Sequence, residues 1–286
     1  MIGAKALALM LVFINVLVCS MSPMPPQTSD AKQSQNKENY PPVIEASPAR
    51  LQAAEDTWGQ FLSEYKLTYV APDLEAILNT PRSLPASLAN QISIQPSDQK
   101  ANPAIDEAQA KEYLRRFIDK YHAVLAGDQR ASALTLKDIS LITFANEGNL
   151  YRAVYRQMNY PYPIGNGYGE LRIVLSKAGN LLQLSSRILP AVDFAARPKI
   201  EVATLTSQFV GREFTYSNFA GQPMSYKVAQ ASEVIVKDLV IFPKVDAQQI
   251  KLHLAYPVEV GRGTTWTVFV DAVTGEEIET KQNFQS

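Results

Sequence analysis

Near the C-terminus two apolar runs alternate with a period of two, Leu254-Ala-Tyr-Pro-Val-Glu-Val260 and Trp266-Thr-Val-Phe-Val-Asp271. The second runs into Ala272-Val-Thr-Gly-Glu276. In an extended chain this period puts Trp266, Val268 and Val270 on one face and Thr267 and Phe269 on the other, so each run reads as a strand with one buried face. Asp271 can accept backbone hydrogen bonds from the turn that follows, and Gly275 can take the positive φ that a tight reversal requires. This part of the chain is thereby committed to an antiparallel sheet. Its residues are expected to hold a fold, with no catalytic part.

The clearest helix lies upstream. Asp106 with Gln109 three residues on forms a capping-box-like start after Pro103, and Ala110, Leu114, Phe117 with Ile118, Tyr121 and Leu125 trace one apolar stripe to a stop at Gly127. Residues 48–66 predict an earlier amphipathic helix through Leu51, Ala54, Trp58, Phe61 and Tyr65, weakened by Gly59. Between them Pro72, Pro81, Pro85 and Pro96 break the chain into loop. After the second helix come four expected strands, 137–146, 150–159, 168–176 and 181–189. Turn chemistry at Asn146-Glu-Gly-Asn149 and Lys177-Ala-Gly-Asn180 joins them pairwise. A weaker echo follows, with a short helix over 200–210 ending at Gly211 and strands near 225–230, 233–241, 249–260, 265–271 and 277–282. The fold class is α+β: two consecutive helix-on-antiparallel-sheet units.

The N-terminus reads as a processing signal. Lys5 precedes an apolar run from Ala6 to Val18, too short to span a bilayer as a helix. Cleavage after Ser20 is expected, with lipid attachment through Cys19, the chain's single cysteine, or an uncleaved anchor as alternatives. Residues 21–47, rich in Pro, Ser, Gln and Asn, read as a disordered linker. Lys+Arg 27 against Asp+Glu 28 leaves a net charge of −1, which argues against a nucleic acid partner.

Several of these segments resemble the propeptides of fungalysin- and thermolysin-type metallopeptidases, which pair an FTP domain with a PepSY domain. The resemblance is carried by Thr80-Pro-Arg-Ser-Leu84, Tyr151-Arg-Ala-Val-Tyr-Arg-Gln157, Pro163-Ile164, Gly167-Tyr-Gly-Glu-Leu171, Ser176-Lys-Ala-Gly179 and the C-terminal strand pair with its turn. It spans roughly residues 65–286. Tyr160-Pro-Tyr-Pro163 departs from the shorter, Gly-containing connection of that family. After the signal peptide at 1–20 and the linker at 21–47 read from composition, the resemblance implies an FTP-like domain with its N-terminal helix at 48–195 and a PepSY-like domain at 196–286, both of the cystatin-like/PepSY-like kind. A zinc catalytic domain normally follows such a propeptide. This sequence runs to Ser286 without one, and a propeptide made without its peptidase is expected.

Few residues of the sequence point to chemistry. No His-Glu-x-x-His and no Gly-x-Ser-x-Gly occurs, so neither a zincin nor a hydrolase elbow is expected. The expectation is a non-enzyme without catalytic, metal or cofactor-binding residues. His122 falls near the end of the second helix, where a cation complements the dipole, and His253 lies on a strand within Lys251-Leu-His-Leu254; both read as structural or surface residues. Glu147, Glu170 and Asp271 are carboxylates on turns or strand ends, and a pocket gathering Glu170, Asp271 or His253 would be the sign of an enzyme. Gly165-Asn-Gly-Tyr-Gly169 reads as a hairpin loop and not a phosphate cradle. Tyr151 and Tyr155 share a strand face and are expected beneath the second helix, while Tyr160, Tyr162 and Tyr168 offer an alternative, an exposed tyrosine-rich contact surface.

Two functions are compatible with this reading. One is an exported inhibitor or folding chaperone of a separately encoded thermolysin- or fungalysin-like peptidase. The other is a cell-envelope protein-interaction module that reuses the propeptide fold with no peptidase partner.

Overall fold

The computed structural model describes residues 40–96, 104–127, 133–144, 148–217, 220–246, 248–262 and 265–283. The expected signal peptide, Cys19, most of the linker and Glu147 with its turn lie outside these residues. In chain order the elements are β1 (Val43–Glu45), α1 (Pro48–Glu64), β2 (Asp73–Leu74), β3 (Pro81–Ser83), α2 (Glu107–Lys120), α3 (His122–Leu125), β4 (Leu134–Phe144), β5 (Gly148–Gln157), β6 (Glu170–Ser176) and β7 (Leu181–Ser186). There follow α4 (Val202–Phe209), β8 (Glu213–Ser217), β9 (Pro223–Lys227), β10 (Val234–Val236), β11 (Val240–Asp246), β12 (Gln249–Val260), β13 (Thr265–Asp271) and β14 (Glu277–Asn283). The fold is α+β with antiparallel sheets. Among the described residues no helix is long and apolar enough to cross a membrane.

The first core lies between three helices and the meander β4-β5-β6-β7. α1 starts where Ser47 accepts from the Arg50 amide with Pro48 in the first turn, and α2 starts on the expected reciprocal Asp106–Gln109 box. The helical stripe breaks at Tyr121, and α3 continues it, so Tyr121 and Leu125 still point inward. Phe61 of α1 meets Phe117 and Tyr121 edge-on at 5.8 and 4.9 Å, which locks α1 against α2; each such pair contributes about 0.5–1.5 kcal/mol beyond burial. Tyr151 and Tyr155 lie beneath the helices as expected, and the Tyr151 hydroxyl donates to the Ile105 carbonyl. Thr80, fully buried, donates to the Ser186 carbonyl at 2.9 Å and ties the Thr-Pro-Arg segment to β7.

The second sheet is organised around β12. β13 and β1 pair along one side of it, β10 and β11 along the other, and β14 adds to β13. β12 alternates strictly, with Ile250, Leu252, Leu254, Tyr256, Val258 and Val260 all inward. α4 and the β8–β9 hairpin cover that face, and Trp266 packs against Phe214, Tyr216 and Tyr226. The single strand expected over 233–241 is two short ones, because Lys237 still donates to its register partner Pro257, which has no N–H to return, and pairing resumes one residue out of step with Val240 opposite Ala255. The β8 half of the hairpin was not anticipated.

Two expectations are corrected. The linker does not extend to residue 47: Val43–Glu45 form β1, because Ile44, 3% exposed, inserts into the second core while its neighbours face solvent. Nor do Tyr160, Tyr162 and Tyr168 form an exposed surface. Tyr160 and Tyr168 are 9% and 8% exposed and Tyr162 is half-buried, all packed into the second core. The loop carrying them is fastened to β11 by a parallel bridge, with Gly165 donating to the Ile241 carbonyl and Ile241 to the Pro163 carbonyl, each at 2.8 Å.

Candidate functional site

β4 is the outer strand of the first sheet. One side pairs with β5 from Leu134–Gln157 to Phe144–Gly148, and its other side pairs with no strand among the described residues. A bulge between Leu136 and Asp138 places Lys137 in the irregular stretch, two devices that discourage pairing there. Beyond it, from Ile139 to Phe144, the strand pairs regularly with β5 and its sequence carries no charge, with Leu141 48% exposed. Such an edge offers a row of backbone donors and acceptors to any extended segment.

The sheet face away from the helices carries cations next to this edge. Asp138 pairs with Val154 and Ser140 with Arg152 across to β5, and these in turn pair with Arg172 and Val174 on β6. Arg152, Arg156 and Arg172 are exposed. Glu170 sits among them. Burial pushes its carboxyl up, but the Arg172 guanidinium, bonded at 3.0 and 2.6 Å, and the charges of Lys137 and Arg156 outweigh this and hold it below the usual carboxylate range. The face thus holds a carboxylate of its own.

The structure brings together Asp271 and His253, residues that are 18 apart in sequence. His253 Nδ1 lies 2.8 Å from Asp271 Oδ2, and the carboxylate's acceptor role assigns the proton to Nδ1. Asp271 Oδ1 accepts from the Val273 and Thr274 amides at 2.8 and 3.0 Å, which is the turn expected from the sequence, and Gly275 has φ +80°. The Tyr40 hydroxyl sits between both carboxylate oxygens, at 3.0 and 2.9 Å, and itself accepts from the Leu254 amide at 2.9 Å. Burial and the adjacent Asp271 charge push the Tyr40 phenol well up, so it acts as donor. For Asp271, burial raises the carboxyl, while the hydrogen bonds from His253, the Thr274 and Val273 amides and Tyr40 together bring it below the ordinary value. The arrangement joins an imidazole, a carboxylate and a phenol at the end of a sheet, with the Tyr40 hydroxyl engaged by both Asp271 and the Leu254 amide.

The other residues singled out in the sequence stay apart. His122 is exposed, its Nδ1 3.1 Å from the Asp119 carbonyl in the last turn of α2. Glu170 belongs to the first sheet and does not join Asp271. In the Gly165–Gly169 loop the amides of Gly165, Tyr168 and Gly169 all donate to carbonyls of the chain, so no amide cradle faces outward from these three. An open groove of about 430 Å³ runs between Met158–Pro161 and Val192–Phe194, and Asp193 is the one carboxylate that lines it. Among the described residues no group of three or more His, Cys, Asp or Glu could hold a metal ion.

The sequence reading missed the free edge and Tyr40. Strand alternation over 137–146 was visible, but which strand of a meander ends up outermost is a matter of topology. Tyr40 sits in a Pro-rich stretch whose composition masks a single long-range contact.

No protein-family model matches the chain, and no curated protein matches it. Among solved structures the chain is similar to the Bacillus megaterium YpeB C-terminal domain, with a TM-score of 0.31 and 13% identity over 65% of this chain and 68% of that one.

Proposed function

We propose that this chain is an exported, non-catalytic protein-binding module that engages its partner along the edge of β4, and that the partner is a thermolysin- or fungalysin-like zinc peptidase which the chain inhibits or helps to fold. The observation that carries the reading is the regular, uncharged stretch Ile139–Phe144 of the β4 edge, with Leu141 exposed within it. Peptidase clefts hold extended chains by main-chain hydrogen bonds, and a free strand edge supplies the same bonds without presenting a loop for cleavage. The propeptide resemblance of residues 65–286 supports the choice of peptidase, and the apolar run Ala6–Val18 supports export.

The second reading, a cell-envelope interaction module with no peptidase partner, draws on the exposed Arg152, Arg156 and Arg172, which suit carboxylate-bearing proteins in general. The test is titration of the purified chain into a thermolysin-type peptidase with a fluorogenic peptide substrate. Inhibition at micromolar concentration or below is expected. Digestion of the chain with turnover unchanged would remove the inhibitor reading and leave the module reading.

A further inference from the structure

Residues 40–45 are bound to the second sheet as a peptide would be. They run antiparallel to β12, pairing Val43 with Lys251, Ile44 with Ile250 and Glu45 with Gln249, and the Pro42 carbonyl accepts from the Leu252 amide at 2.9 Å. Two residues further along β12, at Leu254, a strand would present another carbonyl. Here the Tyr40 hydroxyl takes that place, accepting from Leu254 and donating to Asp271 at the end of β13. Two side chains make the recognition: Tyr40 at the polar end and Ile44 in the core. Between and after them Val43, 41% exposed, and Glu45 face outward.

The receiving surface does not depend on this segment for its shape. β12 is held by β11 along residues 249–255 and by β13 along 255–260. Asp271 is aimed by the Val273 and Thr274 amides and by His253. Withdrawing the segment would leave the Leu252 and Leu254 amides without acceptors and open the Ile44 position. An empty site of that kind demands a strand.

We propose that residues 40–45 are a self-ligand occupying a strand-addition site on β12, and that the vacated site takes an extended peptide with tyrosine four residues ahead of a buried aliphatic side chain, supplied by another protein. The pattern Tyr-Pro-Pro-x-Ile follows: Tyr40 and Ile44 are the anchors, Pro41 and Pro42 are half-buried between them, and Val43 is the intervening position whose side chain faces outward. This site is separate from the β4 edge and does not rest on the peptidase reading.

A fluorescent peptide of residues 40–47 is titrated against the full chain and against the full chain carrying Tyr40→Phe and Ile44→Ser, read by anisotropy. Binding to the double variant at least tenfold tighter than to the unaltered chain is expected, and a peptide with Ile44→Asp is expected to lose at least tenfold. A double variant that keeps its tryptophan fluorescence and cooperative unfolding yet binds no better than the unaltered chain overturns the proposal. Should the double variant unfold, hydrogen exchange on the unaltered chain decides: Leu252 and Leu254 amides exchanging at least tenfold faster than the amides of β12 that pair with β13 support a displaceable segment, and equal protection overturns it. A concentration-dependent dimer of the unaltered chain that disappears with Ile44→Asp would assign the site to a second copy and overturn the assignment to another protein.

Discussion

Gln157 and Leu189 exchange two hydrogen bonds, the Gln157 Nε2 donating to the Leu189 carbonyl at 2.8 Å and the Leu189 amide donating to Gln157 Oε1 at 2.9 Å. Both residues are buried at the end of the first sheet, where the chain passes toward the second core. The side chain therefore satisfies a stretch of backbone that belongs to neither sheet. Gln157→Leu keeps the volume and strands both groups, and a loss on the order of 2–3 kcal/mol is expected from urea unfolding.

Trp58 lies in the first core and Trp266 in the second, and the chain has no other tryptophan. The loop after β5 packs Tyr160 and Tyr168 into the second core, and Ile77 and Leu78, from before β3, join them there. The two cores should therefore unfold together. Trp58→Phe and Trp266→Phe variants, each reporting on one core, are expected to show superimposable denaturant transitions in shape and in unfolding cooperativity, apart from the offset each substitution introduces. Transitions that differ between the two variants by more than those offsets, or in cooperativity, would show independent halves.

Gly169 and Gly275 both have positive φ, but their surroundings differ. A Cβ on Gly169 would lie 2.9 Å from Ile164 Cβ, whereas one on Gly275 would meet only the Ile200 side chain at 3.4 Å. Gly169→Ala should therefore destabilise by about 2 kcal/mol or more and disturb the Ile164–Ile241 bridge, while Gly275→Ala should cost about 1 kcal/mol, from backbone strain alone. Gly275→Val should exceed 1 kcal/mol. Thermal unfolding of the three variants checks the ranking.

Asp271 titrates below the ordinary aspartate range in the folded chain. A carboxyl with a depressed folded value contributes stability that is fully present above the unfolded value, about 3.9, and is lost as pH falls through the folded value. Asp271→Asn should lower stability at pH 7 by on the order of 2–4 kcal/mol, since His253 and Tyr40 lose a charged acceptor. The difference between the two chains should shrink below about pH 4. Carboxylates common to both, such as Glu170, cancel in that comparison.

Leu141→Lys places a charge on the free edge of β4, the device by which natural edges resist pairing. Because Leu141 is already half in solvent, stability should change by less than about 0.5 kcal/mol. Inhibition of a thermolysin-type peptidase should weaken at least tenfold. Unchanged inhibition by a folded variant would move the contact elsewhere on the molecule.

Local chemistry was the legible part of this chain. The Asp106–Gln109 box, the Asp271–Gly275 turn and the strict alternation of β12 all carry their signal within a few residues, and each forms as read. β1 was hidden because three residues with one buried side chain have no measurable period. β8 carries a signal in Phe214 and Tyr216, two apart, too short to stand out from the flanking polar residues. The tyrosines of the loop after β5 were misplaced for a different reason: a Pro- and Gly-rich loop defaults to the surface, and its burial depends on a sheet formed more than seventy residues later, around Ile241. His253 and Asp271 met for the same non-local reason, through the pairing of β12 with β13.

Tyr40 and Asp271 are separated by 231 residues. A chain emerging N-terminus first can assemble the helices and meander of the first core while its leading segment has nowhere to go, because the surface that receives it is made of residues 249–271. Closure of that segment requires β12 and β13 to be in register first, because its partners lie on both strands. Until then Tyr40 and Ile44 remain available to whatever factor meets the nascent protein, so the period of synthesis is the natural interval in which a competitor could claim their place.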